Sequence, residues 1–297
     1  MNQSHSLRAQ LARGKAFLKE NGTASYALDA AVLLMAATGH SRADLLIHYD
    51  ETMTDAQLQA YAFFLRQRAA HKPVAYILNH REFMSLDFMV NENVLIPRPD
   101  TEVLVEAVMA FMRENDCKTV IDMGTGSGCI AVCLAFYCEN VFVTAADISA
   151  AALAVAQKNA NRHGVANRIR FVQSDLFAAW PQDQSNMADV IISNPPYIPT
   201  GDVAHLAENV RFYEPHHALD GGTDGLDFYR KISVQSLDWL RPGGLLAFEI
   251  GYNQGEDVRC LLAQNGYHRI QLLKDLAGLG RVVMGCRGEQ DSPTGKD

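Results

Sequence analysis

The chain has 297 residues, 48% of them hydrophobic and 20% charged, with a formal net charge of −8 at pH 7. That is enough apolar material for one large core and a small accessory one, so two domains are expected. No apolar run reaches the ~20 residues that a membrane-spanning helix needs, and Met1-Asn2-Gln3-Ser4-His5 lacks the charged-then-apolar order of a signal peptide, so a cytoplasmic protein is expected.

The six cysteines include no C-x-x-C pair, and Cys129, Cys133 and Cys138 fall in one apolar stretch. They read as small core residues, and no metal is expected. His216 and His217 are the only adjacent histidines, and adjacent residues on an irregular segment point apart. Charge is shared unevenly: residues 1–80 hold eight Lys and Arg against six Asp and Glu, leaving 18 against 28 in the rest. An acidic body with only Arg81, Arg98 and Arg211 near its motifs weighs against direct nucleic-acid binding, which needs a basic stripe for phosphates.

In chain order, Leu7, Leu11 and Leu18 recur at helical spacing, as do Leu28, Val32 and Met35. Thr54-Asp55-Ala56-Gln57 reads as a capping box that opens a helix with Leu58, Tyr61 and Leu65 on one face. Residues 1–75 are thus expected to form a small helical domain. Over residues 76–96, alternating Leu86, Phe88 and Val90, then Asn91-Glu92-Asn93, then Val94-Leu95-Ile96, predict a two-stranded hairpin connector. Pro97, Pro99 and Thr101 read as the N-terminal cap of a helix through Leu104, Val108 and Phe111.

Residues 97–286 are expected to form the body. Strands and helices alternate from Thr119 to about Ile192, the pattern of a doubly wound parallel α/β sheet. A helix from Leu226 to Leu240, a strand from Leu245 to Ile250, a helix from Glu256 to Gln264 and strands at His268–Leu273 and Val282–Met284 follow. The polar tail 287–297 has no apolar anchor and is expected to be disordered.

Four strands end on polar or glycine residues, the position at which open α/β sheets bind ligands. Thr119-Val120-Ile121-Asp122-Met123 empties into Gly124-Thr125-Gly126-Ser127-Gly128, whose glycines let a ligand approach the backbone. A dinucleotide fingerprint needs a third glycine where Cys129 stands, which disfavours NAD or FAD. The second strand ends at Asp147, placed to hold the two ribose hydroxyls of a nucleoside, or simply to cap the helix beyond Ser149. The third delivers Gln173-Ser174-Asp175-Leu176. The fourth, Val190-Ile191-Ile192, delivers Asn194-Pro195-Pro196-Tyr197. Two prolines there make a stiff loop that can continue neither a ladder nor a helix. The Asn194 side-chain oxygen and the Pro195 carbonyl can both accept from one planar NH2 group, with Tyr197 as a flat wall.

This order of motifs resembles class I S-adenosylmethionine-dependent methyltransferases that modify a planar nitrogen. Ile96-Pro97-Arg98-Pro99-Asp100-Thr101-Glu102, Val210-Arg211-Phe212-Tyr213-Glu214-Pro215, Gly221-Gly222-Thr223-Asp224-Gly225-Leu226 and Phe248-Glu249-Ile250-Gly251 resemble, more narrowly, the HemK/PrmC family of release factor glutamine methyltransferases. The resemblance runs from about Tyr26 to about Gly285. It implies a Rossmann-like seven-stranded sheet with a reversed final strand, and S-adenosyl-L-methionine as cofactor. Gly124, Thr125, Gly126, Ser127 and Gly128 are implied beside its amino-acid part, Asp147 at the ribose, Asp175 and Leu176 at the adenine, and Asn194 near the methyl group. Asn194, Pro195, Pro196 and Tyr197 are implied to hold the glutamine of a Gly-Gly-Gln loop in a peptide-chain release factor, with Asn194, Pro195 and Tyr197 catalytic and residues 1–75 docking the factor. Arg98, Thr101 and Glu102 are left outside this site. The rivals are a ribosomal-protein glutamine methyltransferase, an enzyme methylating the exocyclic amine of adenine in DNA, and a non-catalytic nucleotide-binding module.

Overall fold

The computed structural model describes residues 5–180 and 187–288. The chain forms two compact units: one holds residues up to His80 together with Ala207–Tyr213, the other Arg81–Leu206 and the residues from Glu214 onward. The tail expected to be disordered lies, from residue 289, outside the described residues. Among those, no helix is long and apolar enough to cross a membrane.

The first unit is built from α1 (Leu7–Glu20), α2 (Tyr26–Thr38), α3 (Arg42–Ile47), α4 (Asp55–Ala69) and α5 (Val74–Leu78). The capping box forms as its spacing predicts, with the Thr54 hydroxyl accepting from the Gln57 amide and the Gln57 side chain accepting from the Thr54 amide. Leu18, Ala30, Leu33, Leu34 and Tyr61 are buried together. The Tyr61 hydroxyl donates to the Ala30 carbonyl at 3.1 Å, which satisfies the one polar atom its ring takes inside. The strap Ala207–Tyr213 belongs to this unit through the Tyr213 hydroxyl on the Ala70 carbonyl at 2.5 Å and Glu208 on His71 at 3.0 Å.

The second unit begins at Arg81, within the hairpin of β1 (His80–Phe83) and β2 (Leu86–Met89). This corrects the expected register: Val94-Leu95-Ile96 is no strand, and the partner of β2 precedes it. The two-residue turn is Met84-Ser85, both at positive φ (50° and 60°), the conformation of a type I′ turn without the Asn-Gly signal that usually announces one. Helix α6 (Asp100–Glu114) follows, then β3 (Thr119–Met123), α7 (Cys129–Tyr137), β4 (Phe142–Asp147), α8 (Ala150–Arg162), β5 (Ile169–Gln173), β6 (Ala188–Ser193), β7 (Leu240–Glu249), β8 (Tyr267–Lys274) and β9 (Gly280–Arg287). Helix Asp227–Gln235 precedes β7, and helix Gly255–Gln264 follows it.

The seven strands lie in the order β5-β4-β3-β6-β7-β9-β8, with β9 antiparallel to both neighbours and β3 to β7 paired in parallel. This is the α/β sheet with a reversed final strand that the resemblance implied. Its central strands are covered on both faces, so their residues read as continuous apolar runs rather than alternating ones. One core holds Leu104, Val108, Val132 and Leu134; the other holds Tyr229, Ile232, Trp239 and Leu262. The chain winds outward from β3 through β4 to β5, then returns to β6 on the other side of β3. That reversal is the switch point at which such sheets open a crevice. Register aligns Met123 with Ser193, and the Ser193 hydroxyl donates to the Met123 carbonyl at 2.6 Å, so Gly124 and Asn194 leave adjacent strands side by side.

Candidate functional site

At this switch point a cavity of about 360 Å³ is lined by Gly124, Thr125, Gly126, Ser127, Asp147, Asp175, Leu176, Asn194, Pro195 and Pro196. The residues expected at four separate strand ends are therefore brought into one place. Gly124 (φ 75°) and Gly126 (φ 54°) are in the left-handed region, and among the described residues nothing beyond their chain neighbours lies within 4 Å of where a Cβ would sit. The backbone is open toward the cavity there. The loop is pinned from below, because the Gly124 and Thr125 amides both donate to the Ala146 carbonyl at 2.9 Å.

Asp147 accepts from the Gly126 amide through Oδ2 and from the Ser149 amide through Oδ1, each at 2.9 Å. Helix α8 is capped by Ser149 itself, whose hydroxyl accepts from the Ala152 amide at 3.1 Å. The capping explanation for Asp147 is thus only partly met, and its carboxylate keeps lone pairs for two further donors. Leu176 sits at φ 48°, which is uncommon for a bulky residue and costs about 1–2 kcal/mol; strain of this kind concentrates at ligand sites.

Two expected residues stand elsewhere. Gly128 does not line the cavity; a Cβ on it would meet the Ala156 Cβ at 2.8 Å, so the third glycine lets α7 start against α8. Tyr197 does not line it either. Its ring packs on the core of Tyr229 and Phe248, where burial pushes its hydroxyl up to about 12. What Tyr197 supplies is anchorage for the loop: its carbonyl accepts from Gln254 Nε2 at 2.9 Å. The glycines of Gly221-Gly222-Thr223-Asp224-Gly225 close over the same loop, since a Cβ on Gly221 would lie 2.8 Å from the Pro196 carbonyl oxygen and one on Gly225 2.3 Å from that of Tyr197.

Four residues that the sequence reading left aside are part of this arrangement. Thr101 is not a helix cap: α6 starts from Pro99 without a side-chain cap, and the buried Thr101 hydroxyl instead donates to Glu249 Oε2 at 2.5 Å. Asn194 Nδ2 donates in turn to Thr101 Oγ1 at 3.3 Å. Neither Asn194 Oδ1 nor the Pro195 carbonyl takes a hydrogen bond from the described residues. Gln254 clasps Tyr197, as above. Asp122 lies under the glycine loop, fully buried, with Oδ2 accepting from the Thr125 hydroxyl at 2.6 Å and the Ala131 amide at 3.2 Å. An acid inside an apolar strand, as in Val120-Ile121-Asp122-Met123 and Phe248-Glu249-Ile250, was the signal available for two of them.

Asp122 Oδ1 has no hydrogen-bond partner among the described residues, and burial pushes the carboxyl up to about 7. Its native value lies above the unfolded one of 3.8, so the native state binds the extra proton between the two. Stability falls as pH rises through that window, by on the order of a few kcal/mol. Asp122→Asn keeps an acceptor for Thr125 and Ala131 and removes the ionisation. Its Tm is expected to exceed that of the parent at about pH 8, the gap closing toward pH 4; thermal melts across that range check it, and a constant gap refutes it.

The fold is that of a Rossmann-like methyltransferase. Residues 9–78 match the PrmC N-terminal domain and residues 99–222 the methyltransferase small domain. Among solved structures, a methyltransferase from Pyrococcus furiosus shares the fold at a TM-score of 0.50 and 17% identity, covering 69% of this chain and 91% of that one. The hMettl16 catalytic domain in complex with MAT2A 3'UTR hairpin 6 does so at 0.57 and 17%, covering 76% and 82%. Much nearer are proteins named release factor glutamine methyltransferase: that of Moorella thermoacetica is 43% identical over 96% of this chain and 100% of its own length. That of Geobacter sulfurreducens is 41% identical over 95% and 97%. The chain belongs to the release factor glutamine methyltransferase family.

Proposed function

We propose that the protein transfers a methyl group from S-adenosyl-L-methionine to the side-chain nitrogen of the glutamine in the Gly-Gly-Gln loop of peptide-chain release factors, in the cytoplasm. The observation that carries the reading is the pair of unbonded acceptors, Asn194 Oδ1 and the Pro195 carbonyl, on residues lining the same cavity as the glycine loop and Asp147. The relatives' names supply the substrate class.

The residues fit the cofactor. Gly124 and Gly126 leave open space where a Cβ would intrude, Asp147 has acceptor capacity for ribose hydroxyls, Asp175 and Leu176 line the same cavity, and ~300–1,000 Å³ is the usual range for such a ligand site. S-adenosyl-L-methionine supplies an electrophilic methyl group on a positively charged sulfur. The protein's task is the nucleophile. An amide nitrogen is weak because its lone pair is delocalised into the carbonyl. Accepting both of its N–H groups, Asn194 and Pro195 fix the nitrogen and aim its lone pair. As the nitrogen is alkylated it gains positive charge and its hydrogens become more acidic, so both bonds strengthen in the transition state, and one proton leaves late to solvent.

A pair of acceptors suits any planar NH2, so specificity must come from elsewhere. Residues 1–75 supply the docking surface for the release factor, because a cleft shaped around an amide cannot tell one glutamine from thousands. The purified protein, incubated with labelled S-adenosyl-L-methionine and, in separate tubes, release factors, ribosomal proteins and DNA, is expected to label the release factors alone. Label confined to DNA or to a ribosomal protein overturns the assignment.

A further inference from the structure

Asn194 is useful only if its oxygen, not its NH2, faces the substrate amide. The two ends of a carboxamide have nearly the same shape, so shape alone does not decide which way it lies. The structure contains a device that does. Glu249, at the end of β7 and 1% exposed, accepts from the Thr101 hydroxyl at 2.5 Å; having spent its hydrogen, Thr101 Oγ1 can only accept from Asn194, and does so from Nδ2 at 3.3 Å. We propose that Glu249 and Thr101 are positioning residues that set the orientation of the Asn194 amide, turning its NH2 away from the substrate and leaving Oδ1 as the acceptor. The inference rests on the proposed reaction, whose substrate nitrogen brings two hydrogens and needs acceptors.

The polarity of this relay depends on one proton. A protonated Glu249 donates to Thr101 Oγ1; the Thr101 hydrogen then turns to Asn194, which must meet it with Oδ1 and present NH2 outward. Two N–H groups then oppose each other and the substrate amide is rejected. Groups facing Glu249 come from every packed element. Arg98, ahead of α6, and Arg281, on β9, favour its ionised form, Asp100 of α6 opposes it, and Tyr197, Tyr229 and Cys129 stay neutral at ordinary pH, each held up by burial. Burial is the largest influence and pushes the Glu249 carboxyl up to about 7, so the relay reverses within the working range of most assays. Turnover therefore rises with pH through that region.

The test reads the amide directly. In 15N-labelled full-length protein, the Asn194 side-chain NH2 pair, assigned by its loss in Asn194→Ala, is expected to shift with a midpoint near 7 in the parent and to stay still in Glu249→Gln. In release-factor assays, Thr101→Val should lower kcat by ~10–100-fold with affinity for S-adenosyl-L-methionine within about twofold, and Thr101→Ser should restore most of the loss. A signal that ignores pH in the parent, or that titrates unchanged in Glu249→Gln, overturns the relay. So does Thr101→Val with parental kcat, or Thr101→Ser no better than Thr101→Val. Should the parent itself fail to methylate release factors, the proposed function falls, while the amide titration still decides the relay.

Discussion

Asn194→Ala is expected to reduce turnover by ~10²–10³, the scale for removing one preorganised polar partner of a developing charge. Two losses combine in it. The side-chain oxygen that accepts one substrate hydrogen disappears, and Thr101 loses the donor that its accepting oxygen now meets at 3.3 Å. The loop itself should survive, because its path is fixed by groups that do not involve this side chain. Gln254 holds the Tyr197 carbonyl, the Ile198 amide donates to the Leu219 carbonyl at 3.1 Å, and Ser193 ties β6 to β3. Cofactor affinity should therefore change far less than kcat. Single-turnover assays with a release factor, set beside calorimetry with S-adenosyl-L-methionine, separate the two; near-normal turnover in this variant would sink the proposed mechanism. Asn194→Asp is the sharper companion. It preserves shape and adds an acceptor, but places a second carboxyl two hydrogen bonds from buried Glu249, so it should be rescued little despite being nearly isosteric.

The parts of this structure readable from residues are those in which one local rule operates at a time. The capping box at Thr54 and Gln57, the apolar runs of the parallel strands and the glycine loop each satisfy such a rule, and each stands where its pattern put it. The hairpin departs by one strand from its sequence pattern because Met84 and Ser85 adopt positive φ, a conformation that propensity assigns to glycine and asparagine. The turn is bound by tertiary contacts instead: the Met84 amide donates to Glu102 at 2.8 Å and its carbonyl accepts from Tyr137 at 2.5 Å. Thr101 departs from its pattern for a related reason. After two prolines and before an apolar helix a threonine fits the capping pattern, and only its partner 148 positions away reveals another use. Gly128 obeys the rule for its type, but the close approach it permits is to Ala156 of a neighbouring helix. Residue type disclosed what each position can do; which partner it does it with was a property of the fold.

Asp147→Ala is expected to weaken S-adenosyl-L-methionine binding by ~10²-fold or more, since each hydrogen bond from a ribose hydroxyl to a carboxylate contributes ~1.5–3 kcal/mol. The structure adds a complication. Asp147 also holds the Gly126 and Ser149 amides, so the substitution loosens the glycine loop and the entry to α8 as well as removing a ribose partner. The two effects are separable with an analogue of the cofactor whose ribose hydroxyls are replaced by hydrogen. If Asp147 meets those hydroxyls, the variant should lose far less affinity for the analogue than for the cofactor, because the ribose contact is already missing there and only the loosened loop remains; the two losses then overlap rather than multiply. If Asp147 acts only by shaping the loop, variant and analogue each exact their full loss and the free energies add. Calorimetry on the four combinations decides, with Ser149 continuing to cap α8 through Ala152 in both proteins and so keeping the variant folded. Parental affinity for S-adenosyl-L-methionine in Asp147→Ala would remove the ribose role and leave only the ties to Gly126 and Ser149; full additivity would assign the loss to the loop.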